Sequence, residues 1–208
     1  GANMDFAAKL LERNKRDTAS DAFDQAFPEL LRAPLRPLDA QRGYFSQIVG
    51  AFADWFFKTP GAKSGVVVDG ATGQGKSCLA ALIARFGATK GVIPGYLSAS
   101  RMGLEMSGPF DDPARKSPVD YLAASEAAAL LVVDDVGNET TKQAVEVIRA
   151  LIEDRVARNQ FTVMTTNLER EPLLARFGER EESRLARYLW VHIPANAIPD
   201  LRVHPAKV

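Results

Sequence analysis

The chain has 208 residues, of which 46% are hydrophobic and 25% charged, a composition that supports one globular domain with a buried core and no covalent staples. Lys plus Arg total 26 and Asp plus Glu total 26, so zero net charge excludes nucleic-acid binding by bulk charge alone; such contact needs a local patch or a surface built by several subunits. One cysteine excludes a disulfide framework, and with only two histidines a zinc site is not expected.

The opening Gly1-Ala2-Asn3, ahead of Met4, reads as a remnant of expression cloning, and the polar start is unlike a secretory signal. No apolar run reaches the roughly eighteen residues a membrane span needs, and the expected compartment is the cytoplasm. Residues 4–39 read as an N-terminal helical arm and candidate partner-binding segment. Phe6, Leu10 and Leu11 are spaced for one helix face, and Pro28, Pro34 and Pro37 punctuate the later part of the arm. Tyr44, Phe45, Ile48, Val49, Phe52, Trp55 and Phe56 recur at helical period and predict a buried helix, stopped by Thr59-Pro60-Gly61.

From Ser64 the pattern changes. Apolar runs at Gly65–Asp69, Gly95–Ser98, Ala129–Asp134, Phe161–Thr166 and Leu189–Ile193 suit strands buried on both faces. Helical patterns near 76–88, 100–106, 118–128 and 140–158 separate them. Strands alternating with helices predict an α/β three-layer sandwich around a parallel sheet, with a core over residues 40–195 and a tail at 196–208.

The first loop of that core carries chemistry. Gly70-Ala71-Thr72-Gly73-Gln74-Gly75-Lys76-Ser77 fits the phosphate-binding (Walker A) pattern, entered by the strand SGVVVD and left by the helix CLAALIARF. Its glycines let backbone N–H groups close on a phosphate chain, and the helix adds its positive end. Lys76 is expected on the β- and γ-phosphates and Ser77 on Mg2+. Cys78 adjoins the loop and reads as a small packed residue.

LLVVDD runs four apolar residues into two carboxylates, delivering Asp134 and Asp135 to the carboxyl edge of the sheet, where ligands bind. Asp134 is expected to hold the metal, and Asp135 to orient or activate the attacking water. The later strand ends in Thr165-Thr166-Asn167; beside the phosphate loop, Asn167 is the candidate to position that water. RFGEREESRLAR places Arg176, Arg180, Arg184 and Arg187 at spacings of four, four and three, on one face if the run is a single helix. By itself the run favours a solvated, salt-bridged face; the sharper alternative is an arginine given in trans to a neighbour's γ-phosphate.

As a set, GATGQGKS, LLVVDDVG, TTKQAVEVIRALIEDRVARNQ, TTNL and FGEREESRLARYLWVHI resemble the AAA+ ATPases, and among them the DnaC/DnaI helicase loaders and IstB transposition helpers. TTNL followed by GERxxSRL is the discriminating pair. The resemblance covers about residues 45–195. It implies a P-loop NTPase sheet of order 5-1-4-3-2 without a helical lid domain, ATP/ADP and Mg2+ as ligands, Asn167 as sensor, and Arg180, then Arg184, as arginine finger. It also implies an oligomer or filament with ATP at subunit junctions, acting on single-stranded DNA or a partner's ring. The function implied is loading or remodelling of a replicative helicase; the alternatives are an ATPase helper of a transposase and a nucleotide-gated DNA-binding scaffold with little turnover.

Three departures stand out. The second acid is Asp135, where AAA+ proteins more often carry Glu; the arm is short for a helicase-binding domain; and Arg202 aligns poorly as a second sensor arginine. Asn14-Lys15-Arg16-Asp17 fits the guanine-reading N-K-x-D, but it precedes every strand, so adenine is expected. Arg101, Arg115 and Lys116 flank a loop-rich stretch near where the family meets single strands; by themselves they favour ordinary surface charges, and Phe110 suits stacking on a base and anchoring the loop equally.

Overall fold

The structure is a computed structural model that describes residues 2–32, 37–59 and 62–197. Along the chain run helices α1 (Ala2–Ala26), α2 (Glu29–Arg32) and α3 (Arg42–Phe57), then strand β1 (Gly65–Gly70) and α4 (Lys76–Thr89). They are followed by β2 (Pro94–Ser98), α5 (Ala99–Met106), α6 (Pro118–Ala127), β3 (Leu130–Val136), α7 (Lys142–Ala157) and β4 (Phe161–Thr166). The last elements are α8 (Arg170–Phe177), α9 (Glu179–Leu185) and β5 (Tyr188–Ile193). All strand pairs are parallel, in the order β2-β3-β4-β1-β5, which read from the other edge is 5-1-4-3-2 as the family resemblance implies.

Alternation along each strand sends side chains to both faces, and both are covered. Val66, Val68, Leu130, Val132, Phe161 and Val163 pack against α3 and α4, joined by Phe23 and Phe27 at the end of α1. Val67, Leu131, Val133 and Met164 pack against Met102, Tyr121, Ile148, Leu151, Leu173 and Phe177 from α5 to α8. Each fully buried aliphatic side chain contributes about 1.5–3 kcal/mol, so the two layers hold the sheet from both sides.

One buried cation ties the strand starts together. Arg155 on α7 is fully buried and donates to the carbonyls of Ser125 (2.6 Å), Phe161 (2.7 Å) and Ala128 (2.8 Å) and to Thr162 Oγ1 (2.8 Å). Burial pushes its pKa down to about 10, and it stays charged at neutral pH. The carbonyl dipoles solvate the charge without a directly bonded carboxylate.

One sequence reading changes. The arginine run is two helices: Gly178 takes φ 92°, a conformation that favours glycine, and both ends α8 and begins α9. Arg176 therefore sits on α8, apart from Arg180 and Arg184 on α9, while Arg187 precedes β5. The N-terminal arm begins with one long helix, which includes Ala2 and Asn3 and packs against α4 and β2. Phe6 (70% exposed), Leu10 and Leu11 lie on its solvent side, while Phe23 and Phe27 supply the buried contact. Pro34, Pro60, Gly61 and Arg202 lie outside the described residues.

Candidate nucleotide site

The site forms where β1, β3 and β4 end. Gly75 takes φ 74° at the foot of α4, a left-handed conformation that favours glycine, and the Gln41 side chain lies where a Cβ would be. The turn leaves the first amides of α4 facing a cavity of about 340 Å3, lined by Thr72, Gly73, Gly75, Lys76, Ser77, Cys78, Asp135 and Asn167. Burial, then the Asp134 charge, raise the pKa of the Cys78 thiol, which holds it protonated and unreactive.

Lys76, only 7% exposed, donates from Nζ to the carbonyls of Gly70 and Ala71 and to Asn167 Oδ1, each at 2.8 Å. Ser77 Oγ donates to Asp134 Oδ1 (2.8 Å) and Oδ2 (3.0 Å). A hydroxyl and a carboxylate in contact are the hard oxygen donors Mg2+ takes, together with water and phosphate. Among the described residues no cluster of three or more His, Cys, Asp or Glu is placed to hold a metal.

The two acids occupy different environments. Asp134 is 5% exposed and accepts from Ser77, from Tyr96 OH at 2.8 Å and from Thr165 Oγ1. Asp135 adopts φ 58° at a register shift between β3 and β4, its N–H donating to Thr165 Oγ1 at 3.0 Å. That irregularity turns Asp135 into the cavity, as bulges beside active sites do. Burial first, and then the Asp134 charge, raise the Asp135 pKa, against a smaller lowering by Lys76.

The arginines divide. Arg176 donates from Nε to Glu139 Oε2 at 2.8 Å, and Glu139 also accepts from Gly137 N–H, so this pair braces the loop after β3. Arg184 pairs with Glu153 at 2.9 Å and with the buried Glu181 at 3.4 Å. Arg180 is exposed and makes no side-chain hydrogen bond or ion pair among the described residues. Neither Arg180 nor Arg184 lines the cavity.

At the other sheet edge, Phe110 is 93% exposed with the Arg115 guanidinium 3.8 Å above its ring. Lys116 pairs with Glu105 at 2.6 Å. Asn14 to Asp17 lie inside α1, where Lys15 and Asp17 make local ion pairs and Asn14 and Lys15 border Gly91, Val92 and Ile93 ahead of β2.

Sequence reading missed Tyr96, Thr165 and Glu139. Thr165 is legible once β4 is aligned on β3, since that register brings it beside the acids. Tyr96 carries no motif signal; its partner depends on the edge strand's position.

A five-strand parallel sheet between helical layers, with a phosphate loop after β1, defines an α/β fold of the P-loop NTPase kind. Solved structures of replication proteins are among those it resembles. The "DnaI" crystal structure is 25% identical, with a TM-score of 0.61 over 81% of this chain and 94% of that one. The "DnaC helicase loader" is 20% identical, TM-score 0.57, over 77% and 94%. A "DNA replication initiation factor" is 15% identical, TM-score 0.62, over 81% and 50%, so this chain spans about half of it. No protein-family model and no curated protein matches the sequence.

Proposed function

We propose that this chain is an AAA+ protein of the DnaC/DnaI type that binds and hydrolyses ATP to load or remodel a replicative helicase on single-stranded DNA. The observation that carries the reading is the meeting of Lys76, Ser77, Asp135 and Asn167 at one cavity, with Asp134 hydrogen-bonded to Ser77, on a fold whose likeness extends over nearly all of the DnaI and DnaC chains.

In this reading Gly70 to Ser77 cradle the phosphates with backbone N–H groups, and Cys78 continues that first turn of α4. Lys76 leaves the loop carbonyls for the β- and γ-phosphates. Ser77 and Asp134 hold Mg2+, which neutralises phosphate charge when bound. Asp135 takes the proton of the attacking water; its raised pKa makes it a better base than an ordinary aspartate. Asn167, now against Lys76, orients that water. Arg180 is the residue offered to a neighbouring subunit's γ-phosphate, because Arg184 is held by Glu153 and Glu181. That assigns ATP to junctions in an oligomer or filament. Phe110 with Arg115 forms the stacking surface for a single strand.

The test is Lys76→Ala. Its ATP affinity should fall about a hundredfold, as expected for losing a buried charged donor, and transfer of helicase onto single-stranded DNA should stop. A variant that binds ATP and loads helicase like the parent contradicts the reading.

A further inference from the structure

Asp134 is held from two sides by residues that lie outside the phosphate loop and the acidic strand motif. Thr165 Oγ1 donates to Oδ1, and Tyr96 OH donates to Oδ2 at 2.8 Å. Ser77 Oγ reaches both oxygens, at 2.8 and 3.0 Å, so it is the donor free to exchange toward a metal. The two outer donors fix the carboxylate plane. A phenol suits this task because it orients a carboxylate without cancelling the negative charge a cation needs.

Tyr96 does not hold this position by itself. It lies on β2, the edge strand, and its ring meets that of Phe27 with centroids 5.3 Å apart. Phe27, 3% exposed, stacks in turn on Phe23 in the last turns of α1, at 4.3 Å. A cavity of about 270 Å3 borders Phe27, Tyr96, Ser98 and Arg101, so the tyrosine has open space on one side and Phe27 on another. Seating of the α1 end therefore decides whether the hydroxyl stays on Asp134.

We infer that Tyr96 is a positioning residue for the metal-binding carboxylate Asp134, and that Phe27 makes this positioning depend on the packing of the α1 end. The inference rests on the nucleotide-site reading above. It supplies a path from the N-terminal helix to the metal site through one ring contact and one hydrogen bond.

The experiment measures binding of a fluorescent ATP analogue to the full chain, in EDTA and across a Mg2+ titration. Tyr96→Phe keeps the ring and removes only the hydroxyl. It should raise the Mg2+ concentration at half-saturation about tenfold, the lower end for losing a partner behind a metal ligand, while binding in EDTA stays at the parent value. Phe27→Leu keeps an apolar side chain in place and removes the ring contact. Its shift should have the same sign and be about threefold, and the double variant should not exceed Tyr96→Phe. The Mg2+-dependent gain in melting temperature should move to higher Mg2+ in parallel. An unchanged Mg2+ titration for Tyr96→Phe, or a double variant whose shifts multiply in full, overturns the inference. A parent that binds no nucleotide under either condition overturns the nucleotide-site reading, and this inference with it.

Discussion

The phosphate-loop side of the molecule and the α9 side differ in how much of their chemistry is closed within one chain. At the loop, the two most buried charges have internal partners: Lys76 meets three oxygens, and Asp134 accepts from three hydroxyls. On α9, Arg184 is tied down while Arg180 projects into solvent, within a helix whose first turn is rich in Glu. A solvated arginine with no partner is common, and alone it teaches nothing. Its value lies in the contrast. Lys76, Ser77, Asp135 and Asn167 line one cavity and no arginine is among its lining residues; on the proposed reading, that is a phosphoryl-transfer site lacking its arginine. The proposed reading rests on this contrast: a second copy supplies what the first leaves open.

The sharpest way to break the comparison is to remove each arginine in turn. On the proposed reading, Arg180→Ala lowers ATP turnover by about a thousandfold, the lower range for an arginine finger, with nucleotide affinity and melting temperature at parent values. Arg184→Ala should do the reverse, costing about 1 kcal/mol of stability through lost ion pairs and little turnover. Equal losses from the two variants, in either readout, contradict the division between them.

Asp135 sharpens the buried half through pH. An unfolded aspartate titrates near about 3.9, and in the folded chain burial and the Asp134 charge lift this one above that range. Between the two values the folded state binds more protons than the unfolded. Stability therefore falls as pH rises through the window and stays lower above it. Asp135→Asn removes the penalty, so its melting temperature should exceed the parent's at about pH 8, and the gap should close toward about pH 4. A gap that is negative, or constant across that range, contradicts the account of Asp135.

Much of the fold and site is readable in order along the chain, because the signals are local. Strand runs, the phosphate loop and the acid pair each depend on residues within a few positions of one another, and they fall where expected, although β3 continues past Asp134 to Val136. What sequence did not disclose depends on pairing between distant segments. Tyr96 reaches Asp134 only because β2 lies beside β3. Glu139 engages Arg176 across 37 positions. The arginine run misled for a local reason: its spacing suits one helix, yet Gly178 sits inside it and breaks the face. The apolar stripe of Phe6, Leu10 and Leu11 marks a helix face as its spacing suggests, and that face is exposed, since periodicity does not say what covers it.

The central claim is that the site is completed between subunits, and mixing two inactive proteins tests it most directly. Arg180→Ala retains a full nucleotide cavity; Asp135→Asn retains the arginine. Mixed in equal amounts and allowed to assemble with ATP and single-stranded DNA, about a quarter of junctions should pair an intact cavity with an intact arginine. ATP turnover should then recover to about that fraction of the parent rate. Turnover that stays at the level of the separate variants contradicts completion in trans and returns Arg180 to the solvated face of α9.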